Sequence, residues 1–217
     1  DPETGARVRR LTGDGSDNIH LYFTSTSFLD GASDRLIVSS DRVGDRAYFL
    51  LEIDEERLVQ VTEASATPFS QACLDPGGRL FAFRGNALMR VNLNTLEAEE
   101  LYRVPGGFTP ALPTCTADGS HVAFAYREDL PVSTQTGRIY STMAERYYQH
   151  PASVIIRVET DSGAADAVWG EHNWISHVCI HPTNPDLILF CHEGGSHVKQ
   201  RMWTIDLAEG RGRQAKP

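Results

Sequence analysis

Between Cys191 and Arg201 the chain reads CHEGGSHVKQR, which places two histidines, a glutamate and an arginine on one glycine-bearing connection. Imidazoles and carboxylates move protons or bind metals, and a guanidinium grips a carboxylate with two parallel hydrogen bonds. Arg201 is the candidate catalytic residue. It immediately precedes the strand pattern MWTIDL, so its guanidinium starts from a rigid anchor suited to bidentate capture of a carboxylate. Five of the eight histidines fall between residues 172 and 197. Of these, His177 and His192 lie at expected strand ends facing a central channel and are candidate substrate-binding residues. His172, before a strand, and His181, in the turn HPTNP, read as surface groups. His20, with Tyr22 and Phe23, opens the first strand unit and is expected to reach the same face. Arg46, on the loop before AYFLLEID, takes the corresponding place in that unit. The run from His192 to His197 is not a zinc-protease motif. That motif needs two imidazoles at i and i+4 on a helix, whereas here the spacing is i and i+5 across two glycines. There is no GxSxG elbow, P-loop or dinucleotide fingerprint.

The elements that must position these groups are strands. LILFC (187–191) reads as a buried strand and MWTIDL (202–207) as one with alternating faces. This is the last of four copies of one pattern: a strand, a turn, a second strand, an exposed loop, and a third strand closed by an acidic or amide residue. The earlier copies run LYFTSTSFL–DGASD–RLIVSSD, FSQACL–DPGGR–LFAFRG and TPALPTCT–ADGSH–VAFAYR, each followed by further strand patterns. The landmarks Asp30, Asp75 and Ala117 are 45 and 42 residues apart, and His181 follows 64 later because the third copy carries an insertion over residues 127–151. Four strands per unit at this period predict an all-β fold, a β-propeller with about four blades of four-stranded antiparallel sheet. The expected blades cover residues 19–63, 64–104, 105–170 and 171–217 of a single partial domain. Within the insertion STMAERYYQH reads as a short helix capped by Ser141, and Pro151 returns the chain to a strand. RVRRLT suggests one short strand in the lead-in. A fourth strand of the last blade is due where the chain reads RGRQAKP, so the chain is expected to be the N-terminal part of a larger ring.

A net charge of −9 argues against a nucleic-acid or membrane-surface binder, which needs a basic field. No run approaches the roughly 18 apolar residues of a membrane span. Cys73, Cys115, Cys179 and Cys191 sit in apolar strand patterns without CxxC spacing, and so read as free thiols in a reducing compartment.

CHEG followed by RMW, the opening DPETGARVRRLT, NIHLYFTSTSF, GDRAYFLLEID and the helical insertion before HP occur together and in order. In these segments the chain resembles the oligogalacturonate lyase family. The resemblance implies a seven-bladed propeller enzyme, bacterial and cytoplasmic, that cleaves short galacturonide oligosaccharides by β-elimination. It also implies a divalent metal, typically manganese, held by histidines and a glutamine. By resemblance Arg201 matches the family's arginine near the scissile bond, while the catalytic histidine and the metal ligands are expected outside these 217 residues. The alternative is a non-catalytic TolB-like propeller that binds a protein or a uronic-acid ligand. A partial ring leaves an open face and edge, so association with a second copy or with a complementary C-terminal part is expected.

Overall fold

Successive side chains of a strand point to opposite faces of its sheet, so an uninterrupted apolar run requires partners on both sides. The computed structural model, which describes residues 1–13, 15–29, 34–65, 71–133, 141–195 and 198–215, meets that requirement with four antiparallel sheets packed in series. The first sheet holds β1 (Asn18–His20), β2 (Arg35–Val43), β3 (Asp45–Glu52) and β4 (Arg57–Gln60). The second holds β5 (Ala72–Leu74), β6 (Arg79–Arg84), β7 (Ala87–Asn92) and β8 (Ala98–Arg103). In the third, β9 (Phe108–Pro110) and β10 (Thr114–Cys115) both pair with β11 (His121–Glu128); helix α1 (Met143–Tyr148), β12 (Ala152–Glu159) and β13 (Ala165–His172) follow. The fourth holds β14 (Ile175–His181), β15 (Asn184–His192), β16 (Met202–Asp206) and β17 (Arg211–Gln214).

The core is divided between the faces. Leu80 and Ala82 of β6 pack with Ile37, Tyr48 and Leu50 of the first sheet, while Phe81 and Phe83 pack with Val122, Phe124 and Tyr126 of the third. Along β11 the intervening Ala123 and Ala125 face Ile180, Ile188 and Phe190 of the fourth. Alternate residues of each middle strand therefore serve two interfaces, as radial propeller blades demand. Strand β10 touches both β5 and β14, which sets the inner strands of successive sheets side by side.

Turns join neighbouring sheets. Asp75, in the turn DPGG, is buried, and its carboxylate accepts from the Arg79 backbone N–H at 2.8 Å and from Arg79 Nε at 2.5 Å. Arg79 Nη2 then donates to Asp118 O at 2.6 Å in the equivalent turn of the third sheet. Gly119 in that turn has φ +66°, and a Cβ there would lie 2.0 Å from Asp75 Oδ2.

The structure corrects several expectations. RVRRLT forms no strand; Arg9 instead anchors the lead-in by donating to Ile53 O at 3.0 Å. LYFTSTSFL turns after β1 rather than extending, because Tyr22 O accepts from Ser25 N at 2.9 Å. TPALPTCT splits into β9 and β10 around Pro113, a residue without an N–H to donate. The N-cap of α1 is Thr142, not Ser141, and makes no side-chain cap bond. Arg46 lies within β3 rather than on a loop, and RGRQ does form the fourth strand of the last sheet. The expected turn at Asp30 and the histidine at 197 fall outside the described residues.

Candidate functional site

His177 sits where β14 bulges. Ser176 pairs with Cys191 and Cys179 with Leu189, so His177 and Val178 together oppose Phe190 alone. The bulge turns His177 to φ +48°, a left-handed conformation that costs a non-glycine residue about 1 kcal/mol. Three side chains hold it there. Ser176 Oγ lies 2.7 Å from Nδ1, Glu193 Oε1 lies 3.2 Å from the same nitrogen, and Tyr22 Oη lies 3.1 Å from Nε2. Phe23 stacks on the ring, with centroids 6.1 Å apart and planes 27° apart.

Glu193 is the hub. Its carboxylate accepts from Ser176 Oγ at 2.5 Å and pairs with Arg201, whose Nε also donates to His192 O at 3.3 Å. Glu193 is nearly buried, and its backbone N–H donates to Trp174 O at 2.8 Å. The contacts with Cys191 first and Glu193 second hold the His177 imidazole charged up to about 11, against the cost of desolvation. Glu193 is lowered in turn to about 2 by His177 first, then by Ser176 and Arg201, with desolvation opposing. Arg201, pulled up by Cys191 and Glu193, leaves about half its side chain open to solvent. Arg201 and His177 thus converge on one nearly buried carboxylate.

Of the residues expected from sequence, the structure joins His177 to Arg201 through Glu193, and it brings Tyr22 and Phe23 to them from the first sheet. It does not bring the side chains of His192, His20 or Arg46 to this group among the described contacts, although the His192 carbonyl accepts from Arg201. Cys191 and Glu193 are two apart and share a face, whereas His192 between them points the other way. Its ring packs on Phe190 and Trp203 and pairs with Glu171. His20 Nδ1 closes locally on Leu21 O at 2.5 Å. Arg46 pairs with Asp17 at 2.5 Å and lines a cavity of about 470 Å³ between the first two sheets, away from this chemistry. Sequence reasoning missed Ser176 and Cys191. The signal for Ser176 was its place beside His177 in NWISH; Cys191 was hidden by its apolar strand.

His177, Cys191 and Glu193 form the one group among the described residues whose donor atoms could close on a metal, all within 4.8 Å of one another. The set does not fit manganese, which prefers oxygen-rich octahedral sites over a thiolate. Glu193 is moreover committed to Arg201, whose charge repels a cation.

Four antiparallel sheets packed in series, with β10 against both β5 and β14 and Tyr22 of the first sheet reaching His177 of the fourth, define a β-propeller. The family model described as Oligogalacturonate lyase matches residues 1–216, and the chain belongs to that family. The oligogalacturonide lyase of Pectobacterium atrosepticum is 28% identical over 209 residues, which is 95% of this chain and 53% of that protein. A solved structure titled oligogalacturonate lyase in complex with manganese superposes with TM-score 0.84 at 25% identity, covering 95% of this chain and 55% of that one. TolB from Acinetobacter baumannii, at 13% identity and TM-score 0.59 over 95% of this chain and 45% of its own, shares the fold alone. The chain spans about half the length of the lyases it matches.

Proposed function

We propose that this chain supplies one wall of the substrate cleft of an oligogalacturonide lyase, which cleaves short galacturonides by β-elimination during pectin degradation. One observation carries the reading: Arg201 pairs with the nearly buried carboxylate of Glu193, which His177 also approaches, while about half of the arginine side chain stays open to solvent. A uronate is the complementary ligand. In the reaction a base takes the C5 proton, the C4–C5 double bond forms and the C4–O bond breaks. The charge that develops on the adjoining carboxylate is stabilised by a guanidinium that is already oriented. Glu193 does the orienting, because it fixes Arg201 from one side while about half of the arginine side chain stays open to solvent. His177, protonated through neutral pH, is a positioning group and not the base.

The base, and the ligands of the manganese that belongs to this reading, are placed outside these 217 residues, either in a complementary C-terminal part or in another chain. The setting proposed is the bacterial cytoplasm, in keeping with four free thiols. Among the described residues no helix is long and apolar enough to cross a membrane.

The test is kinetics of the whole protein on digalacturonate with Mn²⁺, followed by absorbance of the unsaturated product. Arg201→Ala is expected to lower kcat by about 10² to 10³ with little change in KM. Arg201→Lys, which loses the planar fork, recovers only part. Wild-type kcat/KM in a folded Arg201→Ala protein would overturn the role of Arg201, and absence of any unsaturated product would overturn the lyase reading.

A further inference from the structure

The pair between Arg201 and Glu193 uses one carboxylate oxygen and leaves the other to different partners. Arg201 pairs with Oε2. Oε1 turns the other way, to Ser176 Oγ at 2.5 Å and His177 Nδ1 at 3.2 Å. On that side the Cys191 thiol completes a set in which one atom each of imidazole, thiol and carboxylate lies within 4.8 Å of the others. The backbone places all three. Cys191, in β15, and Glu193, just past its end, are two apart and share a face. The bulge in β14 sets His177 beside them. Cys191 is buried and Glu193 nearly so, which shields the set from water.

The surroundings have the form that support for metal ligands takes. A ligating histidine binds its ion through one ring nitrogen and is steered by a hydrogen bond at the other, and a ligating carboxylate is likewise held from outside. Here Nδ1 faces the set while Nε2 lies 3.1 Å from Tyr22 Oη, and the outer oxygen of Glu193 is held by Arg201. The thiol argues against manganese. The same donors, one nitrogen, one sulfur and one oxygen, suit zinc, which takes histidine, cysteine and glutamate in tetrahedral sites. Three protein ligands leave a fourth position for water or for Ser176 Oγ, 2.7 Å from Nδ1. Arg201 does not close the site to a cation. Metal ligands bind deprotonated, so protons leave as the ion enters and offset its charge.

We infer that His177 Nδ1, Cys191 Sγ and Glu193 Oε1 form a binding site for a thiophilic divalent cation, zinc, separate from the manganese of the lyase reading. The inference stands apart from that reading, and failure of either leaves the other intact. Cobalt(II) is the probe, because its bond to a thiolate gives a charge-transfer absorption that histidine and carboxylate ligands do not. The whole protein, reduced and in excess Mn²⁺, is titrated with Co²⁺. The wild type should develop the thiolate band, and Zn²⁺ added at the cobalt concentration should remove it. Cys191→Ser should lose the band. Cys179→Ser should keep it, since that thiol donates instead to His177 O at 3.5 Å and lies outside the set. Tyr22→Phe keeps all three ligands and loses only the hydrogen bond at Nε2, so it should bind Co²⁺ about 10- to 100-fold more weakly. This arm decides the matter should Cys191→Ser fail to fold. No band in the wild type, a band that excess Mn²⁺ prevents, its survival in a folded Cys191→Ser, or full affinity in Tyr22→Phe would each overturn the site.

Discussion

His177 and Glu193 are both held in charged states, His177 by Cys191 first and Glu193 second, Glu193 by His177 first, and the two shifts have opposite signs. The imidazole is raised to about 11 from an ordinary 6.5, so its contribution to stability is complete below 6.5 and is lost as pH rises towards 11. The carboxylate is lowered to about 2 from 4.5, so its contribution is complete above 4.5 and is lost as pH falls towards 2. The pair should therefore stabilise most between pH 4.5 and 6.5. The melting-temperature difference between wild type and Glu193→Gln should peak in that window and shrink on both sides; a difference constant from pH 3 to 9 would contradict it. At this scale the sequence was partly legible. Arg201 and His177 stood out by residue type and by adjacency to strands. The separation of His192 from the site follows from strand alternation and was readable in principle. The approach of Tyr22 to His177, 155 residues away, depends on how four sheets wrap an axis, and no local pattern encodes that angle.

Turns carry the registration between sheets. Gly119 lets the third sheet's turn pass directly over the Asp75–Arg79 pair of the second, at a positive φ that side chains resist. Gly119→Ala should cost about 2–4 kcal/mol, combining left-handed strain with displacement of the ion pair. Chemical denaturation measures this, and a loss under about 1 kcal/mol would mean that the pair moves aside freely. The strands themselves were largely readable, because runs such as LFAF and VAFAY must be buried on both faces. The sequence misled where short polar elements decide the geometry. LYFTSTSFL has strand composition, yet its serines and threonines bond locally and turn the chain, as with Ser27 Oγ accepting from the Leu21 N–H at 2.8 Å. TPALPTCT broke at a proline whose effect on pairing the repeat pattern obscured.

Across the whole molecule, the four sheets are not equally protected. The second and third are covered on both faces, and Phe81 and Phe124 are fully buried between them. The fourth turns Leu189 and Met202 away from its one packed face, and Met202 is 42% exposed. Amide hydrogen exchange should therefore be slowest in β6, β7, β11 and β12 and fastest in β16 and β17. Equal protection of β17 and β6 would show that the open face is covered in solution. The hydrogen bond from Tyr22 to His177 changes how this row of sheets responds to load. Joined only to their neighbours, four sheets would flex like an open spring, with small tilts adding from one end to the other. Tied between first and last, they behave as a strung bow. A change of angle at any joint pulls on the string, so a displacement of His177 is passed to the first sheet through Tyr22.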